Sequence, residues 1–459
     1  MLFSSITFIY FFLPLLLIIY FIMPPKYKNL ILLIFSLIFY FLGEPKYIII
    51  LLTSCLVNYY LSKIMFKVKY PKLILTIAIL YNVIQLLIFK YIDFFITNIN
   101  TLINTNIPLT RIIMPIGISF FTFQTLGYII DVYRKKHAPA DNLINFMTYV
   151  ALFPQLVAGP IVRYIDVEKE LKYRKNTYKD FSNGVKRFTI GLSKKVLIAN
   201  ILGEFIKAIT TITILSSWIK PICFTLQIYF DFSGYSDMAI GLGLMFGFKF
   251  KENFNYPLIA DSITNFWRRW HISLSSWFKD YVYIPLGGNR VSNFKWLRNI
   301  FTVWFLTGFW HGASWNFIIW GLYFGIILVI EKLFLQKYLQ KTKILKYLYT
   351  EIIIIISFLI FNSTTTKEIL EGLKNMLLLN NIPFTNQEII YQLRNYISIL
   401  IISIIASTPI FKILINYLQT TRLKPIINTL EPLYYLLLLT LSTAFLIDAS
   451  FNPFLYFRF

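Results

Sequence analysis

Along this chain long apolar runs alternate with short polar turns, and the runs have the length of membrane-crossing helices. Leu2 to Met23, Leu30 to Leu42, Tyr47 to Phe66 and Leu73 to Asn98 are parted only by PPKYKN, GEPK and KVKYPK. A helix needs about 20 mainly apolar residues to span a bilayer, so four closely connected passes are predicted. Met1 to Met23 has no basic start and no small-residue cleavage site before Pro24, so it reads as a first span and not as a signal peptide. A further pass runs from Arg111 to Val132. Lys26 and Lys28, then Lys67, Lys69 and Lys72, then Arg134 to His137 mark cytoplasmic turns, which places the amino terminus outside.

The alternation then breaks. Phe146 to Val162 is apolar, but Pro154, Gly159 and Pro160 interrupt it and basic residues flank both ends. Two flanks on one side predict a re-entrant or interfacial segment, with its broken backbone covered by protein or water; a plain span with one misassigned flank is the competing reading. Arg163 to Lys195 is polar enough for an amphipathic surface helix, with Phe181, Val185, Phe188 and Leu192 on one face. Val196 to Ile214 is expected to cross outward and Ile219 to Gly247 to return.

That returning helix carries QIYFDFSGYSDMAIGLG, with Gln227, Tyr229, Asp231, Ser233 and Asp237 spread over several faces. Ionisable groups inside apolar runs are costly and mark function by default. Protein or a cavity must receive them, while Gly234, Ser236, Gly241 and Gly243 also suit close helix packing. Asn253 to Arg298 is too charged and aromatic to span. It interleaves Trp267, Trp270, Trp277, Tyr281 and Tyr283 with Arg268, Arg269, Lys279 and Arg290, as an interfacial belt does. Asn299 to Ile330 is longer than one span and has basic residues at both ends, so two helices turning near Gly312 to Ser314 are predicted. His311 lies 13 positions past Arg298, roughly 20 Å along a helix, deep in the membrane.

Composition sharpens the class. With 57% apolar and 14% charged residues and a mean hydropathy of +0.64, the chain is an integral membrane protein with the lipid bilayer as its surroundings. The formal charge of +23 resides in clusters between the apolar runs, so it marks topology and not a nucleic-acid partner. Cys55 and Cys223 lie in apolar runs, and His137, His271 and His311 have no metal-ligand spacing, so neither a disulfide frame nor a metal site is indicated. His311, beside Trp310 and Gly312, is the candidate catalytic residue, and Arg268 and Arg269 with His271 are expected to serve function and not anchoring alone. An imidazole can take a proton from a hydroxyl attacking an acyl carbonyl and return it to the leaving group.

Three stretches together, QIYFDFSGYSDMAIGLG, FWRRWHISLSSWFKDYVYIPLGGNR and WHGASW, resemble the membrane-bound O-acyltransferase family, in its bacterial polysaccharide branch. The likeness continues through MPIGISFFTFQTLGYIIDVYR, FPQLVAGPIVRY, GVKRFTIGLSKKVLIAN and the ending SFNPFLYFRF. The resemblance implies an all-α, polytopic fold, a ring of about eleven to thirteen transmembrane and re-entrant helices around a central tunnel. On that pattern residues 1–110 are amino-terminal helices, 111–331 a catalytic core and 332–459 carboxy-terminal helices. It makes His311 the catalytic base and His271 an assisting residue. Gln227, Tyr229, Asp231, Ser233, Asp237, Asn265, Trp267, Arg268, Arg269 and Trp310 are expected to bind substrate or line the tunnel.

The resemblance further implies an acetyltransferase of a bacterial cytoplasmic (inner) membrane, with no bound cofactor and with acetyl-CoA as donor substrate. A periplasmic SGNH-hydrolase-type partner would pass the acetyl group on to peptidoglycan of the cell wall. Alginate or another exopolysaccharide is the next acceptor, and D-alanyl transfer to teichoic acid the third reading. A transporter is the alternative of a different class, since buried charges also serve transport, but no inverted repeat is present.

Overall fold

In a computed structural model, residues 2–448 together with Phe454 and Leu455 are described; the rest of the ending SFNPFLYFRF lies outside the described residues. Those residues form helices and connections with no strand among them. Among the described residues, seven helices are long and apolar enough to cross a membrane: Pro25–Gly43, Ile48–Lys67, Pro71–Ile103, Trp315–Leu339, Leu345–Asn362, Gln387–Ala406 and Lys424–Asp448. The fold is therefore all-α and polytopic. By packing, the chain divides into two units, the first holding residues up to Phe188 with Ser236–Lys251, the second Thr189–Tyr235 with Glu252–Leu455.

In the first unit α1 (Leu13–Ile22) follows a π-turn at Phe8–Phe12. At 15 residues, Phe8–Ile22 is shorter than a full span. Then come α2 (Lys28–Gly43), α3 (Ile48–Lys67), α4 (Pro71–Leu86) and α5 (Ile92–Ile103), at the places the apolar runs predict. Next, α6 (Ile118–Tyr133) is buried on nearly every residue, its polar Ser119, Thr122, Gln124, Thr125 and Asp131 included.

The broken segment follows as α7 (Leu143–Ala151), a single turn α8 (Phe153–Leu156), and irregular chain. Residues 148–162 are buried throughout. Ser36 accepts the Phe153 amide at 3.1 Å, Tyr149 donates to the Val162 carbonyl at 3.1 Å, and Gln155 donates to the Tyr149 carbonyl. Phe153 sits among Phe3, Phe8, Phe12 and Phe39. Irregular backbone here is sheathed by protein, the condition membrane depth imposes.

After α9 (Tyr164–Lys172), α10 (Tyr178–Ser193) passes through a π-turn at Lys194–Ala199 into α11 (Asn200–Ala208). The separate surface helix and outward crossing expected here are instead one continuous helical run. No proline interrupts it, and Lys195, expected at its polar end, is 2% exposed in its middle. The long α12 (Ile214–Met245) contains the polar run.

The segment after residue 252 forms only short helices, α13 (Ile263–Trp267) and α14 (Ile272–Phe278), then a π-turn at Lys279–Tyr283. The predicted hairpin is present as α15 (Asn293–His311) and α16 (Trp315–Ile330). Gly308 and Gly321 make its contact: a Cβ on Gly308 would strike the Phe317 carbonyl and one on Gly321 the Trp304 carbonyl. The chain closes with α17 (Gln336–Leu339), α18 (Leu345–Asn362), α19 (Thr366–Met376), α20 (Gln387–Ala406), α21 (Ile410–Leu418) and α22 (Lys424–Asp448).

Candidate active site

His311 is the last residue of α15 and is 4% exposed. Three aromatic rings stand nearly perpendicular to its imidazole: Trp310 at 5.0 Å, Trp320 at 4.9 Å and Phe361 at 5.5 Å between centroids. Trp320 comes from α16 and Phe361 from α18, whose carbonyl at Phe361 accepts from Asn316 at 3.1 Å. Gly312 is small for a reason the sequence did not suggest. A Cβ there would run into the Phe317 ring, so the glycine admits Phe317 to the turn and does not open His311 to solvent.

His271 is fully buried and caps α14 with φ 44° and ψ 53°, a left-handed conformation rare for a non-glycine residue. Two backbone bonds, Ile272 to the Asn253 carbonyl and Asn255 to the Arg269 carbonyl, at 3.0 and 2.9 Å, fasten this turn to residues 253–255. The Asn253 side-chain oxygen accepts from the Ser273 amide at 3.2 Å and hydroxyl at 2.9 Å, and lies 3.2 Å from His271 Nδ1. An oxygen that accepts from an amide cannot donate, so Nδ1 carries the proton and Nε2 the lone pair. Burial pushes the His271 pKa down to about 3, which keeps the ring neutral at physiological pH. Phe232 stands against it edge-on at 4.8 Å, and Trp310 lies tilted to it at 6.1 Å between centroids. Trp310 thus touches both histidines, and the geometry brings His271, Trp310 and His311 together.

Trp267 meets Trp304 at 4.7 Å, Trp320 at 5.7 Å and Phe324 at 4.9 Å, each edge to face. Tyr229 lies 6.3 Å from Trp270 and 6.1 Å from Phe254. Asn265 donates to Asp261 at 2.7 Å and accepts from Arg269 Nε at 3.1 Å, while Arg269 also donates to the Asn255 carbonyl at 3.1 Å. Those two residues knit the loop that carries His271. Arg268 is exposed. Gln227 packs on Gly203, where a Cβ would meet its amide. The hydroxyl of Ser233 is buried and meets no hydrogen-bonding partner among the described residues.

The two aspartates are held by cations that sequence reasoning missed. Asp231 is 2.5 Å from Lys195 Nζ, both buried, and its other oxygen accepts the Leu455 amide at 2.8 Å. Phe454 covers the pair, 4.6 Å from Lys195 Nζ and edge-on to Tyr235 at 4.9 Å. Asp237 belongs to the first unit, where Arg187 reaches its Oδ1 through Nε at 2.7 Å and Nη2 at 2.6 Å. Glu331, also unsuspected, is 1% exposed and uses both oxygens to hold the start of α13. It accepts from the Ile263 amide at 2.6 Å, the Thr264 amide at 3.0 Å and the Thr264 hydroxyl at 2.8 Å. Among the described residues no group of three His, Cys, Asp or Glu side chains is placed to hold a metal ion.

Residues 37–370 match the sequence profile of the MBOAT, membrane-bound O-acyltransferase family. Among characterised proteins, the chain is 40% identical to the probable alginate O-acetylase of Azotobacter vinelandii over 79% of its own length and 75% of that protein. It is 33% identical to the peptidoglycan O-acetyltransferase of Helicobacter pylori, over all of this chain and 98% of that one. The teichoic acid D-alanyltransferase of Bacillus subtilis is 32% identical over 51% of this chain and 63% of its own length.

Proposed function

The chain belongs to the membrane-bound O-acyltransferase family, and on that premise we propose that it takes an acetyl group from acetyl-CoA and delivers it across the cytoplasmic membrane for O-acetylation of peptidoglycan. It is a multi-pass membrane acyltransferase by family and by its seven apolar helices. The observation that carries the catalytic reading is the trio His271, Trp310 and His311, two imidazoles on one indole inside a buried aromatic chamber. His311 takes the proton from an acceptor hydroxyl as its oxygen bonds to the thioester carbonyl carbon. The carbon–sulfur bond then breaks, and the proton leaves on the thiol. His271, neutral and fixed through Asn253, assists from beside Trp310. Excluding water from such a chamber protects the thioester from hydrolysis.

For the acceptor, the match to the Helicobacter protein running from end to end supports peptidoglycan. Alginate or a similar exopolysaccharide is the second reading, favoured by the higher identity to the Azotobacter protein. The acetyl group reaches the glycan through an extracytoplasmic partner of the SGNH-hydrolase type.

Vesicles containing the protein, loaded with radiolabelled acetyl-CoA, test this with and without that partner. Wild type is expected to place label on the partner or on added peptidoglycan. His311→Ala abolishes it with expression unchanged, and His271→Ala reduces it by about tenfold to a hundredfold. Undiminished transfer by His311→Ala would remove that residue from the mechanism. Absence of label from wild type, with purified glycan and partner present, would exclude acetyl-CoA as donor.

A further inference from the structure

Asn253 lies in irregular chain between α12 and α13 and is fully buried. Its side-chain oxygen receives the Ser273 amide, the Ser273 hydroxyl and Nδ1 of His271. The Ser273 amide can only donate, so the atom turned to His271 is the oxygen of Asn253 and not its NH2. Ser273 lies in the first turn of α14, directly after the His271 cap, and the Asn253 carbonyl takes the Ile272 amide of the same turn at 3.0 Å. The contact is braced from the side. Phe232 stands edge-on to the His271 ring and also, at 5.0 Å, to Phe254, which meets Trp270 edge-on at 5.1 Å.

We propose, building on the acyl-transfer function, that Asn253 is a positioning residue of the reaction: it holds the Nδ1 proton of His271, so that the ring enters each turnover able to take a proton at Nε2 and with none to give there. That the partner is an amide matters. A carboxylate in the same place would orient the ring equally well but would favour its protonated form, by about one to three pH units for an adjacent opposite charge. An amide oxygen orients the ring without charging it. The titratable or charged groups on the elements around the ring are Tyr229, Tyr235 and the Lys195-paired Asp231 on α12, His311 on α15, and Glu252, Arg268 and Arg269 in the flanking chain. Burial, not any of these, lowers the His271 pKa. His271 is therefore a neutral base throughout the neutral pH range, and its readiness does not vary with pH.

The test uses full-length protein carrying 15N-labelled histidine in lipid nanodiscs. The chain has three histidines, and His271 is assigned by the signals lost in His271→Asn. Its Nδ1 is expected to carry the proton at pH 8 with Nε2 bare. Asn253→Leu, which keeps the size and removes the acceptor, is expected to lose that pattern. Transfer from acetyl-CoA then separates positioning from packing. Asn253→Leu lowers kcat about tenfold to a hundredfold with KM unchanged. Asn253→Asp recovers most of the rate at pH 8, but its rate relative to wild type falls about threefold or more between pH 8 and pH 5.5, as the ring becomes charged. A residue that only packs the turn would give a flat ratio. The Asn253→Asp profile decides the matter even if Asn253→Leu fails to fold. A proton on Nε2 of His271 in wild type, or a flat ratio for Asn253→Asp, overturns the proposal. The ring spectrum needs no acyl transfer, so the two readings fail separately. The expected ring pattern in a wild type that transfers nothing overturns the acyl-transfer function, whereas transfer with the other tautomer overturns only the role of Asn253.

Discussion

His271 holds a left-handed backbone that most side chains avoid, and it does so in complete burial. Such strain, of order 1–3 kcal/mol, persists only where surroundings over-determine it, and it clusters at functional sites. Here the surroundings are the Asn253 side chain and the two backbone bonds to residues 253–255. The same burial fixes a pH response. Its pKa falls from 6.5 to about 3 on folding, so below pH 6.5 the unfolded chain binds a proton that the folded chain refuses. Stability from this group is complete above pH 6.5 and is lost by about 1.4 kcal/mol for each pH unit below it, down to the folded value. Asparagine tolerates the left-handed region and does not titrate. His271→Asn should therefore fold normally, transfer about tenfold to a hundredfold more slowly, and show a smaller drop in thermal midpoint between pH 7 and pH 5 than wild type. Equal drops in the two proteins would place the acid sensitivity elsewhere. Both histidines were legible in the sequence, because charged or titratable groups stand out against apolar runs. The partners of Asp231 and Asp237 were not. Lys195 and Arg187 lie 36 and 50 positions away, and no periodicity connects residues so far apart.

At the scale of elements, the α15–α16 hairpin sets where His311 sits, and two glycines set the hairpin. Gly321 faces the Trp304 carbonyl and the Gly308 backbone, neither of which can rotate aside. Gly325, one turn further on, meets only side-chain atoms, Trp304 Cβ at 3.3 Å and Phe301 Cδ1 at 3.4 Å from its would-be Cβ. Gly321→Ala must therefore part the helices, at a cost of about 1–3 kcal/mol, and move His311 away from Trp320. Gly325→Ala needs only a small side-chain shift. Measured together, Gly321→Ala should lose most transfer and several degrees of thermal midpoint, with Gly325→Ala close to wild type. Similar behaviour by both would mean that the crossing does not position His311. The hairpin was readable from a run too long for one span with basic residues at both ends. Its far end was not: Glu331 holds the first residues of α13, so α16 carries Trp320 under His311 and also anchors the segment bearing His271. A glutamate closing an apolar run looks like an ordinary interfacial charge until its acceptors are seen.

For the whole molecule, apolar run lengths were enough to place most helices, since hydrocarbon admits few alternatives to a helix with all backbone groups satisfied. They failed where a polar residue is paired inside the protein, as at Lys195, because a buried ion pair lets a helix continue through a stretch that reads as a boundary. They left one topological question, the broken segment through α7 and α8. A chain that enters and leaves on one side needs its irregular backbone sheathed, and residues 148–162 are buried throughout, with Ser36 and Tyr149 taking up freed backbone groups. The flanking turns should then share one face of the membrane. Lys135 and Lys175, in those turns, are both exposed, whereas the native Cys55 and Cys223 are buried. With Lys135→Cys and Lys175→Cys made singly, a membrane-impermeant maleimide added to sealed inside-out vesicles should label both, and neither in intact spheroplasts. Opposite labelling of the two positions would convert the segment into a true crossing. It would also reverse the side assigned to every later helix, including the side from which a thioester meets His271.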